Sequence, residues 1–379
     1  MKKTNIINLL GSYQISDINI VKADGCYLYD ENNNKYLDLE SGVWCTNLGH
    51  SNKSVNDIMK NQIDKIVHLG YKFNNEAATE LSSQLLKLLK FQNGKSFFLS
   101  SGSEAVNLSI QIAKNITQRD YILTLENFYL SAYGDGSYEK KNKNRKFIEM
   151  NNYESIDKID FSNISSLVLE MGISWGRVYF PNKDFIQKLV EKAKFNGCFI
   201  IVDEVTTGFG RTGKLFGYEH YNIEPNIVAL GKGLGNGYPI SAVCLDNKVI
   251  QKLEEDNFIY GQSHQNDPLG CIVGLEVINQ IKKLNLVQSI EKLGEYFKSR
   301  LIEITKKNDS VIEIRGRGLM IGIEFISSNV AKKIHSELFK KQIVTGLKDN
   351  ILRFMPPLII QQIDIDNLVD ELGILIEDM

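Results

Sequence analysis

The chain has 379 residues, 43% hydrophobic and 24% charged, which is ordinary for a soluble globular protein with a substantial core. Its 44 basic and 46 acidic residues leave a net charge of −2, so charge gives no reason to expect a nucleic acid or an anionic membrane as partner. The apolar stretches fall short of the ~20 residues that span a bilayer, and five scattered cysteines without a C-x-x-C pair favour reduced thiols. We therefore expect a cytoplasmic protein of two or three domains, or of one large enzyme unit.

The N-terminal 45 residues predict short strands joined by turns. Residues 25–34 end in an Asn-rich turn that leads into the alternating pattern of residues 35–39, which is typical of a β-hairpin.

From about residue 76 to 276, short apolar runs alternate with helical segments such as residues 183–195. The runs lie at residues 96–100, 164–169, 198–202, 227–230 and 240–245. This alternation predicts an α/β fold with a mainly parallel sheet covered by helices. Such sheets bind ligands at the carboxyl ends of their strands.

Residues from about 285 onward predict long amphipathic helices with short strands, such as residues 318–325 and 350–354. They indicate a smaller α/β domain shared with the N-terminal segment. The predicted division is therefore a large domain over residues 46–276 and a small domain made of residues 1–45 with 277–379.

Small residues open a helix directly after the first run, in the stretch Ser101-Gly102-Ser103. Free backbone N–H groups, the helix dipole and two hydroxyls would together bind a phosphate. An ordinary helix cap explains the same stretch equally well.

Two carboxylates, Asp203 and Glu204, end another apolar run. Buried carboxylates are costly unless a cation or a proton donor meets them. A metal ion, a protonated pyridine nitrogen, a helix cap and a salt bridge all remain open as the partner.

Lys232 stands between Gly231 and Gly233 after a third run. Neighbours without side chains let the amine approach a cofactor closely, and burial lowers a lysine pKa toward the deprotonated state that attacks an aldehyde. The alternative is a solvated lysine in a flexible turn. Phe128, which follows a further run, can stack on a planar ring or simply pack in the core.

Two other motifs are weaker. Residues 208–213 match G-x-G-x-x-G, but they start several residues beyond their strand and follow two carboxylates that would repel pyrophosphate. Leu215 also replaces the hydroxyl residue that a Walker A loop requires. The five histidines lack the spacing of metal ligands, so we expect no metal site.

Together these stretches resemble the class III aminotransferases, which are fold-type I enzymes that use pyridoxal 5'-phosphate (PLP). The resemblance runs from about residue 25 to 357 and is strongest at residues 201–213 and 226–239. It implies that Lys232 forms the Schiff base with PLP and shuttles protons, and that Asp203 pairs with the pyridine nitrogen. It also implies that Gly102 and Ser103 bind the phosphate and that Phe128 stacks on the ring.

Three further residues take roles from the resemblance. Glu170 matches a family glutamate near the cofactor. Ser263 matches a hydroxyl that reaches the phosphate of the neighbouring subunit, which implies a homodimer with composite active sites. Arg353 matches an arginine that receives a substrate carboxylate, a task suited to its bidentate geometry.

The substrate side departs from the family pattern. Ser131 stands where ornithine- and 4-aminobutyrate-type enzymes have an arginine for the side-chain carboxylate of glutamate, which weighs against 2-oxoglutarate as acceptor. Trp175 replaces a glutamate that pairs with the carboxylate-binding arginine in ornithine-type enzymes, so we expect Arg353 to lack that partner. Trp44 lies in a Gly-Val-Trp-Cys stretch similar to pyruvate-dependent omega-transaminases. Both tryptophans either narrow the pocket or simply pack.

The function that these features predict is transfer of an amino group from an amino acid or amine to a 2-oxo acid, pyruvate or 2-oxoglutarate, by a ping-pong mechanism through Lys232. A racemase, an epimerase or an aminomutase would use the same cofactor residues and is the leading alternative. A nucleotide-binding dehydrogenase built on residues 208–213 and a non-catalytic interaction protein are the others.

Overall fold

An antiparallel hairpin opens the described part of the chain. The structure is a computed structural model that describes residues 18–137, 143–172, 176–256, 258–306 and 308–377. The first strands are β1 (Ile20–Asp24), β2 (Tyr27–Asp30) and β3 (Lys35–Asp38). The Asp30 carboxylate accepts hydrogen bonds from the backbone N–H groups of Asn32 and Asn34, at 2.9 and 2.8 Å, and so closes the Asn-rich turn. The predicted hairpin is confirmed.

A single short turn, α1 (Ser41–Trp44), follows the hairpin, and it is left-handed. Ser41, Gly42, Val43 and Trp44 have φ angles of 42°, 58°, 58° and 66°. Consecutive left-handed residues are costly for any side chain with a Cβ. Other parts of the chain hold this turn, because the Ser41 hydroxyl donates to Met355 O at 2.7 Å.

A mainly parallel sheet forms the middle of the chain. Its strands are β4 (Lys95–Leu99), β5 (Tyr121–Leu125), β6 (Arg145–Ile148), β7 (Ile164–Glu170), β8 (Phe199–Asp203), β9 (Ile227–Leu230) and β10 (Ser241–Leu245). In the described residues they lie in the order β4-β10-β9-β8-β7-β5-β6. Only β10 runs antiparallel to its two neighbours. Every residue of β7, β8 and β9 is buried, as strands covered on both faces require.

Helices alternate with these strands. They are α2 (Lys53–Ile63), α3 (Glu76–Leu89), α4 (Gly102–Thr117), α5 (Tyr153–Asp157), α6 (Lys183–Phe195), α7 (Asn247–Glu255) and α8 (Pro268–Lys283). The predicted strands and the predicted helix over 183–195 are confirmed, and with them the α/β class. No helix in these described ranges, or in those that follow below, has the length and apolar character that crossing a membrane requires.

The C-terminal part adds helices and short strands. They are α9 (Leu286–Thr305), β11 (Val311–Arg317), β12 (Met320–Phe325), α10 (Ser328–Lys340), β13 (Ile343–Val344), β14 (Gly346–Lys348), β15 (Ile351–Phe354) and α11 (Gln362–Glu377). Strands β11, β12, β15 and β14 form one sheet, whereas β13 pairs in parallel with β3 of the N-terminal hairpin. The division into residues 46–276 and residues 1–45 with 277–379 stays a prediction.

Candidate active site

Acidic side chains and a lysine meet at the carboxyl edge of the parallel sheet. Glu170 and Asp203 are the last residues of β7 and β8, and they lie opposite each other in register. Asp203 also pairs with Ala229 of β9, after which the chain continues to Lys232. The fold therefore brings together residues that are far apart in sequence at the edge where such sheets bind ligands.

Lys232 is held in an unusual backbone conformation. Its φ is 43°, in the left-handed region, and it begins a 3-10 turn over Lys232–Gly235. Glycine is required beside it, because a Cβ at Gly233 would lie only 2.4 Å from the Asn47 amide nitrogen. The Lys232 amine donates a hydrogen bond to Thr206 Oγ1 at 2.7 Å.

Burial lowers the pKa of the Lys232 amine below that of an ordinary lysine, although Cys45, Glu170 and Asp203 act in the opposite direction. A lowered pKa leaves more of the amine deprotonated near neutral pH. That is the state in which a lysine attacks an aldehyde.

Asp203 is a buried carboxylate, only 5% exposed. Burial, and next to it the charge of Glu170, raises its pKa well above the usual range. The Val205 N–H donates to its Oδ1 at 2.9 Å. A carboxylate in this position is stabilised by a cationic partner that carries a proton, and the protonated pyridine nitrogen of PLP is such a partner. The residues present therefore fit that cofactor.

The N-terminus of α4 lies beside Asp203. A Cβ at Gly102 would come within 2.6 Å of the Val205 side chain, so glycine lets the helix start approach the end of β8. Ser101 and Glu104 form a capping box, in which Glu104 N donates to Ser101 Oγ and Ser101 N donates to Glu104 Oε2. The helix-cap interpretation is thus correct for Ser101. The phosphate role of Gly102 and Ser103 stays a prediction.

The loop after β5 packs against α4. Phe128 is fully buried, and its carbonyl accepts from the Arg145 guanidinium at 2.5 Å. Ser131 is also buried, and its hydroxyl donates to Tyr133 O at 2.8 Å and to Ser103 O at 3.3 Å. Ser131 therefore links this loop to the start of the helix. The stacking role of Phe128 and the substrate role of Ser131 stay predictions.

Arg353 has a partner that the sequence did not reveal. Its Nε and one terminal nitrogen donate to the two carboxylate oxygens of Glu40 at 2.9 and 2.6 Å, in the bidentate geometry that favours Arg–carboxylate pairs. The prediction concerned the glutamate that Trp175 replaces, and residue 175 lies outside the described residues. Arg353 instead has a different carboxylate partner, because Glu40 reaches it from the other end of the chain. No sequence spacing could have indicated this pair, since 313 residues separate the two.

Trp44 lies between the two cations of the site. Its ring centroid is 4.3 Å from Lys232 Nζ and 4.7 Å from Arg353 Cζ, within the range of cation–π attraction. Its indole N–H also faces Glu40 Oε1 at 3.4 Å. Trp44 thus lies beside Lys232 and Arg353, and it also packs against Val178, Met320 and Met355. Its role in narrowing the substrate pocket stays a prediction.

Three candidates remain, and only Glu170 lies beside Asp203 in the described residues. Glu170 is buried beside Asp203 and accepts from Tyr129 N at 3.4 Å. Ser263 is exposed on the segment before α8. Trp175 lies outside the described residues, so its predicted place in the pocket stays a prediction.

Thr206 and Arg211 are site residues that sequence reasoning missed. The Arg211 side chain is fully buried and donates to Asn47 Oδ1 at 2.8 Å and to the carbonyls of Leu319 and Pro356 at 3.1 and 2.5 Å. Burial lowers its pKa to about 9. The glycine motif that contains Arg211 thus serves to bring three parts of the chain together. The only sign of Arg211 in the sequence was its position within the glycine motif of residues 208–213.

A lysine and a buried aspartate at the carboxyl edge of a mainly parallel sheet fit the class of PLP enzymes, in which the amine anchors the cofactor and the carboxylate pairs with its pyridine nitrogen. The sequence profile of the family described as "Aminotransferase class-III" matches residues 11–130 and 123–376. The chain belongs to the class III aminotransferases. It is accordingly an aminotransferase, and PLP is its cofactor.

Relatives and solved structures agree with this family. The acetylornithine aminotransferase of Aquifex aeolicus is 31% identical over 96% of this chain and 98% of its own length. A [LysW]-aminoadipate semialdehyde/glutamate semialdehyde transaminase of Sulfurisphaera tokodaii is 32% identical, with 92% of each chain covered. The crystal structure of an acetylornithine aminotransferase from Elizabethkingia anophelis superposes with a TM-score of 0.87 at 25% identity, covering 98% of this chain and 97% of that one.

Proposed function

We propose that the chain transfers the terminal amino group of an amino-acid-type donor to a 2-oxo acid, in two half-reactions through Lys232. The observation that carries the proposal is the Lys232 amine, with its lowered pKa, near the buried Asp203 at neighbouring strand ends. The names of the relatives support a donor that carries its reacting amine at the end of a chain. A ping-pong order follows, because one set of residues must serve both half-reactions.

Each residue has a definite task in this proposal. PLP, when bound, carries the amino group and withdraws electrons from the carbon beside it. Lys232 anchors the cofactor and moves a proton between the substrate carbon and the cofactor. Asp203 keeps the pyridine nitrogen protonated, while Gly102 and Ser103 at the N-terminus of α4 hold the phosphate. Phe128 and Glu170 complete the cofactor side.

Arg353 serves the substrate side. While Glu40 is paired with Arg353, the carboxylate compensates the positive charge of the guanidinium. The donor then meets an uncharged surface formed by this pair and Trp44. A 2-oxo acid brings its own carboxylate, which takes the place of Glu40 on Arg353. One pocket thereby accepts both substrates in turn.

We also propose a homodimer. One surface of the chain exposes several large apolar side chains, from the end of α2 and the residues after it and from the segment before Ser263. This apolar surface consists of Ile63, Ile66, Val67, Tyr71, Phe73 and Ile259. The two parts are close, since a Cβ at Gly261 would lie 3.9 Å from the Tyr71 ring. Surfaces of this kind mark protein contacts, and a second copy would bring its cofactor phosphate within reach of Ser263. The unpaired cysteines of the described residues suit a reducing compartment, and we place the enzyme in the cytoplasm.

The first experiment is to load the purified protein with PLP and follow the cofactor's visible band as amines and amino acids are added. A donor should bleach the band, and a 2-oxo acid should restore it. Parallel lines in double-reciprocal plots would support the ping-pong order.

Lys232→Ala should abolish turnover, because neither a covalent anchor nor a proton carrier remains. The matched control is Lys214→Ala, which removes a surface lysine that is paired with Glu291 at 3.1 Å. Turnover retained by Lys232→Ala would overturn the mechanism.

A further inference from the structure

Two histidines and an aspartate from separate parts of the chain lie close together. His68 lies between α2 and α3, and His264 lies just before α8. Their Nδ1 atoms each lie 2.6 Å from a different oxygen of the Asp267 carboxylate. The ring centroids of the two histidines are 4.6 Å apart. Their separation in sequence explains why spacing alone gave no sign of this cluster.

The Asp267 carboxylate does not cap the described first turn of α8. Asp267 occupies the N-cap position of α8, where an aspartate normally accepts a hydrogen bond from an N–H of the first helical turn. In the described first turn of α8 it accepts none. Both of its oxygens are directed at the imidazole rings instead.

A cavity of about 220 Å³ borders two of the three residues, His264 and Asp267, and is also lined by Ser100 and Tyr238. The histidine side chains are 43% and 63% exposed in the single chain, where His68 adjoins Val67 of the apolar surface and His264 adjoins Ser263. The Asp267 side chain is only 17% exposed and is the most buried of the three.

We propose that His68, His264 and Asp267 bind one divalent transition-metal ion, with zinc as the preferred ion and a water molecule as fourth ligand. Imidazole nitrogens and a carboxylate oxygen are ligands that zinc accepts, and three protein ligands leave an open position. One ligand atom from each residue lies within 4.8 Å of the others. With zinc–ligand distances of ~2.0–2.2 Å, the ligand atoms of a tetrahedral site lie ~3.4 Å apart. The two Nδ1–carboxylate distances of 2.6 Å would therefore lengthen on binding, and any wider pair of ligand atoms would draw together.

Binding exchanges the hydrogen bonds for coordination bonds. In the free cluster each Nδ1 lies within hydrogen-bond distance of an Asp267 oxygen. In the bound state the Nδ1 lone pair faces the ion, and the ring proton is carried by Nε2. The ion ties residues 64–75, which carry most of the apolar surface, to the segment that holds Ser263. The proposal is independent of the amino donor and acceptor.

The test is a titration of the PLP-loaded protein with zinc chloride after treatment with a chelator and removal of free PLP. Calorimetry should show one ion bound per chain. His68→Gln and His264→Gln should each weaken binding by at least ~10-fold, since even residues that only support metal ligands contribute that much. His50→Gln is the control, because His50 contacts a different carboxylate, Asp38, at 2.7 Å.

A second readout needs no variant. The X-ray absorption spectrum of zinc bound to the wild-type protein should contain the scattering of two imidazoles. Absence of saturable binding, unchanged affinity in both histidine variants, or a spectrum of oxygen ligands alone would overturn the proposal and leave a hydrogen-bonded cluster without a metal.

Discussion

At the scale of single residues, the ion pair of Glu40 and Arg353 sets the charge of the proposed substrate pocket. Both are largely shielded from solvent, with side chains 18% and 10% exposed, so their bidentate pair is screened less than a surface ion pair. In the proposed mechanism an incoming carboxylate displaces Glu40 from Arg353. The stability of this pair would therefore reduce the affinity of the enzyme for its 2-oxo acid.

Glu40→Gln should lower the KM for the 2-oxo acid by roughly 10-fold, because a charge-assisted hydrogen bond contributes ~1.5–3 kcal/mol and a neutral amide competes less well for the guanidinium. Steady-state kinetics with each substrate varied in turn would measure it. Glu324→Gln is the matched control, since it weakens an ion pair to Arg315 in a neighbouring strand. An acceptor KM that stays constant or rises in Glu40→Gln would contradict this role.

The meeting of Lys232 and Asp203 at one edge of the sheet could be predicted from the sequence, whereas the pairing of Glu40 with Arg353 could not. Lys232 and Asp203 each lie at the end of a short apolar run, and parallel strands bring such ends to one edge of a sheet. Glu40 reaches Arg353 only through the tertiary fold. The same limit applies to His68 and Asp267, which lie 199 residues apart in the chain.

At the scale of elements, the left-handed turn α1 stores backbone strain beside the pocket. Val43 is a β-branched residue at φ 58°, where a Cβ costs ~1–2 kcal/mol. The Asp38 carboxylate accepts from the N–H groups of Glu40 and Gly42 at 2.9 and 3.2 Å, and these bonds offset part of the strain. The turn points Trp44 at Lys232. No sequence pattern predicts it, because its residue types favour other conformations.

Val43→Gly should raise the free energy of unfolding by roughly 0.5–1 kcal/mol. Glycine relieves the left-handed strain, and the gain exceeds its greater loss of chain entropy on folding. Val43 is 62% exposed, so little packing is lost. Val21→Gly is the control, at a site that is 61% exposed in strand β1, and it should lower stability. Urea denaturation measures both, and a destabilised Val43→Gly would show that the turn is unstrained.

The loop after β8 depends on one buried carboxylate. Glu204 accepts from Thr207 Oγ1 at 2.7 Å and from the N–H groups of Gly217 and Tyr218 at 2.8 and 2.7 Å. Burial nevertheless raises its pKa from 4.5 to about 7. The folded state thus holds this proton more tightly than the unfolded state. Between pH 4.5 and about 7 the contribution of Glu204 to stability falls as the pH rises.

In the wild type the free energy of unfolding should fall between pH 5 and 7 as Glu204 loses its proton. In Glu204→Gln this fall should be smaller, by an amount on the order of 1–3 kcal/mol. The variant is expected to be less stable overall, because an amide offers fewer acceptors to the three donors. Urea denaturation at several pH values gives the slope independently of the absolute stability. Glu303→Gln, at an exposed site, is the control. Equal slopes for wild type and Glu204→Gln would refute the linkage.

At the scale of the whole molecule, distant parts of the chain meet around one edge of the central sheet. Arg211 joins Asn47 near the N-terminal hairpin to Leu319 and Pro356 near the C-terminal sheet. The pocket consequently has walls from both ends of the chain. The sequence pattern predicted the fold class but not the order of the strands, because periodicity identifies buried strands without showing which strands are neighbours.

The apolar surface should hold two subunits together. Phe73→Asp places a charge on it and should shift the protein toward monomer, since burying an unpaired carboxylate costs more than the contact returns. Light scattering after size-exclusion chromatography would measure the mass. Phe195→Asp is the matched control, because Phe195 is 90% exposed at the end of α6, outside this surface. If Ser263 binds the cofactor phosphate of the neighbouring subunit, activity should fall together with the fraction of dimer. A monomeric Phe73→Asp that stays active would show that the surface holds the dimer but that Ser263 is not needed for catalysis.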